Sequence, residues 1–188
     1  MKRIAIFASG SGSNAENIIN HLLGVEVAKV VIILSENINA FVFERARKLN
    51  VPSHLFTIDE LNNGSVLLIL KEYKVDFIVL AGFLKLFPTS IIDKYPQKIV
   101  NIHPALLPKF GGKGMYGFRV HDAVIKLGEK ESGITIHFVN QNYDDGNIIF
   151  QAKCKVLEND TPETLAKRIH ALEYKYYPEI IIKLIEAL

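Results

Sequence analysis

Asn101 and His103 stand two positions apart in VNIHPALLP (100–108), at the end of an apolar run and among two prolines. Residues i and i+2 of a strand share a face. Pro104 biases His103 toward extended backbone, so that shared face persists to the strand's end. An amide N–H₂ and an imidazole aimed at one point suit a developing oxyanion, as in acyl transfer to an amine. A nearby carboxylate would favour the charged imidazole. Asp144 and Asp145, in the polar turn NQNYDDGN, are the candidates, and Asp in such a turn is also an ordinary turn former.

A second constellation is FASGSGSNAEN (7–17). Gly10, Gly12 and Ala15 match G-x-G-x-x-A, with Glu36 standing 21 residues beyond Ala15. That pattern fits a dinucleotide, and equally an anion held by amides at a helix start. Ser11, Ser13 and Asn14 add side-chain donors between the glycines, which favours a terminal phosphate monoester. The run Gly111-Gly112-Lys113-Gly114 lacks the G-K-[ST] ending of a P-loop. There is no G-x-S-x-G elbow, H-E-x-x-H pair or C-x-x-C. No metal is expected, since a metal site would have to be assembled at long range.

These residues need a scaffold. Apolar runs at Arg3–Ala8, Lys29–Leu34, Ser53–Phe56, Phe77–Ala81 and Ile99–Ile102 read as strands. Helical patterns lie between them at Ser13–Leu23, Ala40–Leu49, Val66–Tyr73 and Ile91–Tyr95. Lys109–Arg119 is a Gly-rich loop, and Gly111–Gly117 is the candidate lid. A helix at Val120–Leu127 precedes two alternating segments, Gly133–Asn140 and Ile148–Val156, which predict an antiparallel meander. A last helix starts at Thr161-Pro162, and Pro178 predicts a break before it continues to Leu188. The fold class is therefore α/β: a Rossmann-like open, mostly parallel twisted sheet, helices on both faces, and an antiparallel edge in the C-terminal half. The loops after Ala8, Ala81 and Ile102 should share one crevice. The expected organisation is a single domain over 1–188, with 1–100 as the phosphate-binding half and 101–188 as the catalytic half.

Composition sets limits. The chain has 188 residues, 49% of them apolar, which is enough for a full core. Net charge is +2 with no basic cluster, so no nucleic-acid partner is expected. No apolar stretch approaches the roughly 18 residues of a membrane span. Cys154 is the only cysteine, which suits a reducing, cytoplasmic setting. The sequence leaves monomer and homodimer equally open.

SGSGSN after the first strand, LAGFLKLF at 80–87, NIHPALLP at 101–108 and the D-x-G of Asp144–Gly146 resemble the folate-dependent formyltransferases. Within them the chain is most similar to the phosphoribosylglycinamide formyltransferases of purine biosynthesis. The resemblance runs in order along nearly the whole chain. It implies transfer of a formyl group from 10-formyltetrahydrofolate, the co-substrate, to the amine of 5-phosphoribosylglycinamide, without a metal. It implies Asn101, His103 and Asp144 as the catalytic trio. Gly12, Ser13 and Asn14 match contacts to the substrate phosphate, and His170 and Glu173 contacts near its amine. Leu84, Lys85, Leu86 and Phe87 match the folate pocket, and Asn140, Gln141, Asn142, Tyr143 and Asp144 the loop closing on it.

Three departures from the family pattern stand out. FTIDELNNGSVLL lacks the usual basic residue, GGKGMYGFRVH is longer than the common loop, and Asp145 replaces a second glycine. Lys113 and Arg119 are candidates to supply the missing cation. Methionyl-tRNA formyltransferases share N-x-H-P but carry an added RNA-binding domain and more basic charge. Formyltetrahydrofolate hydrolases share the trio behind a regulatory domain. A non-catalytic NAD-binding regulator would use Glu36 and leave the trio idle.

Overall fold

Strands buried on both sides account for the continuous apolar runs. The computed structural model describes residues 1–188. Its strands are β1 (Lys2–Phe7), β2 (Ala28–Ser35), β3 (Ser53–Leu55), β4 (Phe77–Leu80), β5 (Ile99–His103), β6 (Glu131–Phe138) and β7 (Ile148–Lys155). Its helices are α1 (Ser13–Leu22), α2 (Val42–Lys48), α3 (Ile58–Asn63), α4 (Ser65–Glu72), α5 (Thr89–Ile92), α6 (Phe118–Lys126) and α7 (Pro162–Glu186). One seven-stranded sheet runs β3-β2-β1-β4-β5-β6-β7. The first five strands are parallel, and β6 and β7 form the expected antiparallel edge.

Side chains alternate across the sheet and fill two cores. Ile4, Ile6 and Ala8 face α1, α2 and α7. Ala5 and Phe7 face α4 and an aromatic group that includes Phe56, Phe83 and Phe87. Because β1 lies between β2 and β4, the two halves of the sheet wind away from each other there. Loops leaving the carboxyl ends of β1 and β4 must diverge, which opens a crevice.

Three elements differ from the sequence reading. The segment 58–63 forms α3, started by a capping box. Thr57 Oγ1 accepts from the Glu60 amide at 3.2 Å, and Glu60 Oε2 accepts from the Thr57 amide at 2.7 Å. The T-x-x-E signature was present in the sequence; the helix is too short to show an apolar stripe. The fourth helical pattern, expected at Ile91–Tyr95, instead forms as Thr89–Ile92, immediately after Pro88. The break predicted before Pro178 does not occur, and α7 is continuous. Proline leaves the carbonyl four residues earlier without its amide partner. That carbonyl belongs to Tyr174, and Asn17 Nδ2, from α1, donates to it at 2.9 Å. A neighbouring helix thus repairs the gap.

One turn further, Tyr177 is fully buried, and its hydroxyl donates to the Leu80 carbonyl at 2.9 Å and lies 3.3 Å from that of Val100. It pins α7 to β4 and β5 beside the crevice. Burial pushes its phenol well above the ordinary value. Tyr177→Phe should lower stability by about 1–3 kcal/mol, because it strands buried carbonyls. Urea denaturation followed by circular dichroism measures this, and an unchanged midpoint would contradict it.

Candidate active site

The loops after β1, β4 and β5 do converge. Gly10–Asn14, Ala81–Lys85 and Asn101–Pro104 border one cleft of about 770 Å³. Gly112–Arg119 form another wall, and Tyr143, Asp144, His170 and Glu173 complete it. This is ample room for an extended small-molecule pair.

Asn101 and His103 end β5 on one face, as their spacing predicts. Asp144 reaches them from the β6–β7 turn, with its backbone in the left-handed region (φ 52°) that Asp tolerates better than most residues. Its Oδ2 lies 3.4 Å from His103 Nδ1 and accepts from the Gly112 amide at 3.0 Å. Its Oδ1 lies 3.4 Å from Asn101 Nδ2 and 3.7 Å from His137 Nε2. Gly146 follows two residues later because a Cβ there would collide with the Phe138 carbonyl. That close approach is the physical content of the D-x-G spacing. Asp145 instead accepts from Asn140 and Asn142 at 3.2 and 3.0 Å. It shapes the turn, which leaves Asp144 as the acid facing His103.

Proton positions follow from the acceptors. His103 Nε2 lies 2.7 Å from the Phe110 carbonyl, so it carries a hydrogen. Nδ1 faces Asp144, and one further proton can sit between Nδ1 and Oδ2. Burial pulls the imidazole below its ordinary pKa, against the opposing pull of Asp144 and the Phe110 carbonyl. The sequence reading has the carboxylate hold the ring charged; Asp144 does pull in that direction, and desolvation is the larger, opposing effect. For Asp144, burial alone would raise the carboxyl, but His137, His103 and the Gly112 amide together hold it below its usual value.

His137 is the residue that sequence inspection missed. The β5–β6 register sets it opposite Asn101. Its Nδ1 lies 2.8 Å from the Phe138 carbonyl and so carries the hydrogen, leaving Nε2 to accept from Asn101 Nδ2 at 3.1 Å. This fixes which way the Asn101 amide points. A histidine inside the otherwise apolar alternation GITIHFV was the available signal. His121 also lines the cleft; it is 3% exposed, its Nδ1 has no partner, and burial pulls its pKa down.

At the other end of the cleft, Gly12 precedes α1 in the left-handed conformation (φ 71°), and a Cβ there would strike Val42. Glycine is thus required both for the turn and for the approach of α2. The first-turn amides of α1 have no partners within the helix and carry its positive dipole end. Arg45 pairs with Glu16 and donates from Nε to the Ser11 carbonyl at 2.8 Å, bracing the loop from outside. Asn14 Nδ2 donates to Glu173 Oε2 at 2.9 Å, and His170 Nδ1 lies 2.9 Å from the same oxygen. Glu173 is 5% exposed, and the buried Oδ1 of Asn14 has no partner. The anion loop and the carboxylate are therefore one unit, joined by Asn14.

Among the expected site residues, Asn101, His103, Asp144, Gly12, Ser13, Asn14, His170, Glu173, Leu84, Lys85 and Tyr143 border the cleft. Leu86, Phe87, Asn140, Gln141 and Asn142 are not part of its lining. Phe87 packs edge-on to Phe7, 5.0 Å between centroids, and Phe83 takes a lining position instead. Lys113 and Arg119 line the wall, Arg119 stacked over Tyr116 at 5.0 Å. Glu36 lies outside the lining, which removes the acid that a dinucleotide reading needs. No group of three or more His, Cys, Asp or Glu residues is arranged to hold a metal ion, and no helix is long and apolar enough to cross a membrane.

Known proteins carry the same framework. A family model described as formyl transferase matches residues 2–181. The chain is 43% identical to the chloroplastic phosphoribosylglycinamide formyltransferase of Arabidopsis thaliana over 96% of its length, and it spans 64% of that relative. It is 37% identical to the phosphoribosylglycinamide formyltransferase of Bacillus subtilis, over 98% of this chain and 95% of that one. Among solved structures, glycinamide ribonucleotide transformylase 1 of Symbiobacterium toebii superposes with a TM-score of 0.91 at 34% identity, covering 100% of this chain and 89% of that one. Fold and sequence agree: the chain belongs to the formyl transferase family.

Proposed function

We propose that the protein transfers the formyl group of 10-formyltetrahydrofolate to the amine of 5-phosphoribosylglycinamide, a step of purine biosynthesis. The observation that carries this reading is the bridging of Asn101, His103 and Asp144 in the same cleft as an anion loop joined to Glu173. The loop and the acid joined to it by Asn14 match the two ends of the acceptor. The loop at Gly12–Asn14 takes the phosphate, and Glu173, with His170, takes the amine. Leu84, Lys85 and Tyr143 line the region left for the folate. The lone Cys154 fits a reducing compartment such as the cytoplasm.

The amine nitrogen attacks the formyl carbon, and the carbonyl electrons move onto the formyl oxygen. Asn101 Nδ2 and the Nε2 hydrogen of His103 are the donors for that oxyanion. In the free site His103 gives this hydrogen to the Phe110 carbonyl, and the formyl oxygen takes its place. The attacking amine becomes cationic and loses a proton. Asp144 and His103 hold that proton at the Nδ1–Oδ2 position and return it toward N10 of the folate as the carbon–N10 bond breaks.

Three outcomes test the reading. In a coupled formyl-transfer assay, His103→Ala and Asp144→Asn should each lose roughly 10²–10³ in kcat, the usual effect of removing an oxyanion donor or its partner. Near-wild-type turnover in either would refute the assigned roles. The phosphorylated glycinamide should raise the melting temperature and NADH should leave it unchanged; the reverse would favour a dinucleotide protein. Glu173 raises the pKa of His170, so the charged pair stabilises the fold below the ordinary histidine range and its contribution is lost as pH rises through the elevated value. NMR titration of the imidazoles should show His170 returning toward its ordinary value in Glu173→Gln, whereas an unmoved midpoint would exclude the pairing.

A further inference from the structure

The Gly-rich wall touches both halves of the catalytic dyad through its backbone. The Phe110 carbonyl takes the Nε2 hydrogen of His103 at 2.7 Å, and the Gly112 amide donates to Asp144 Oδ2 at 3.0 Å. Phe110 and Gly112 both have left-handed backbone, at φ 58° and 96°. The residue between them, Gly111, does not, so conformational freedom is not why it is glycine. Space is. A Cβ on Gly111 would stand 2.5 Å from Leu107 Cδ2 and 3.2 Å from Asp144 Cβ.

Leu107 is buried and its backbone is held, so only the end of its side chain can yield. It is 6% exposed, its amide donates to Thr135 Oγ1 at 3.0 Å, and its carbonyl accepts from Gln151 Nε2 at 3.1 Å. Thr135 Oγ1 donates in turn to the Ala105 carbonyl at 2.6 Å. The segment after His103 is thus tied to β6 and β7. A side chain at 111 would be turned from this fixed wall onto Asp144, whose backbone lies in a more exposed turn.

Resting on the formyl-transfer reading, we infer that Gly111 is a positioning residue: its bare backbone lets the Phe110–Gly112 turn lie against Asp144, so that in the free site one carbonyl and one amide preset the His103–Asp144 dyad, with hydrogen on Nε2 and Oδ2 facing Nδ1. The Phe110 carbonyl selects the ring form with hydrogen on Nε2. That choice leaves Nδ1 free to share the incoming proton with Asp144. The Gly112 amide keeps Oδ2, rather than solvent, at the other end of that exchange. Small displacements matter here, since a shift on the order of 1 Å in reacting groups can cost about 10²-fold.

The test uses the full chain. In Gly111→Ala, kcat should fall at least about tenfold while KM for each substrate changes far less, because the anion loop and the folate wall are untouched. Nitrogen NMR of the imidazoles should show His103 with hydrogen on Nε2 in the wild type and a changed tautomer balance in Gly111→Ala. The double variant Gly111→Ala/Leu107→Val removes the leucine clash but keeps the contact with Asp144, so the deficit should persist. Wild-type kcat in Gly111→Ala, or full recovery in the double variant, would overturn the inference and leave a packing role. If Gly111→Ala fails to fold, the wild-type spectrum still decides: hydrogen on Nδ1 of neutral His103 would overturn it. Absence of formyl transfer in the wild type would instead refute the reaction while leaving the tautomer measurement valid.

Discussion

A buried carboxylate with neighbours on both oxygens is the constraint around which this site is built. Asp144 faces His103 and the Gly112 amide on one side and Asn101 and His137 on the other. A carboxylate taken out of water is costly unless its lone pairs are met. These neighbours come from three stretches of chain: the end of β5, the Gly-rich wall and the end of β6. Meeting the carboxylate's needs therefore fixes how those three stretches approach one another. The same contacts aim the two donors of β5 and set His103 Nδ1 against Asp144 Oδ2. Electrostatic satisfaction of one side chain and assembly of the site are the same event.

The second fixed point is mechanical. α7 carries Glu173, and its placement depends on contacts at successive turns. Tyr177 pins it to β4 and β5, and Asn17 completes the hydrogen bonding that Pro178 interrupts. Asn14, one turn before Asn17 on α1, reaches Glu173 itself. One helix face thus both braces α7 and ties its carboxylate to the anion loop. The distance between the start of α1 and the Glu173 carboxylate is set by the packing of α1 on α7.

Much of this was legible in the chain. Two-sided apolar runs separated by helical patterns gave the parallel sheet, and the polar turn with flanking alternation gave the antiparallel edge. Asn101 and His103 were visible because strand periodicity puts both on one face. Asp144 was visible as one of two adjacent candidates. What separated it from Asp145 was the turn's own hydrogen bonding, in which Asn140 and Asn142 occupy Asp145. The helix at 58–63 carried its capping box in plain view, yet is too short for periodicity to reveal. Phe87 lay in a segment matched to the folate pocket, but alternation along the chain after β4 turns it into the aromatic core.

By itself the sequence determined the fold class, the position of the crevice and the side chains able to do chemistry there. Those are consequences of local periodicity and residue type, which act over a few positions. Tertiary structure decided three further things. His137 orients Asn101 only because antiparallel register pairs residues 36 positions apart. α7 stays unbroken only because another helix supplies a donor to the Tyr174 carbonyl. Burial pulls the His103 pKa down against the carboxylate expected to raise it, because burial is a property of the whole fold and here outweighs a single neighbour. Each depends on which distant groups share a dry interior, and no window of the sequence contains that information.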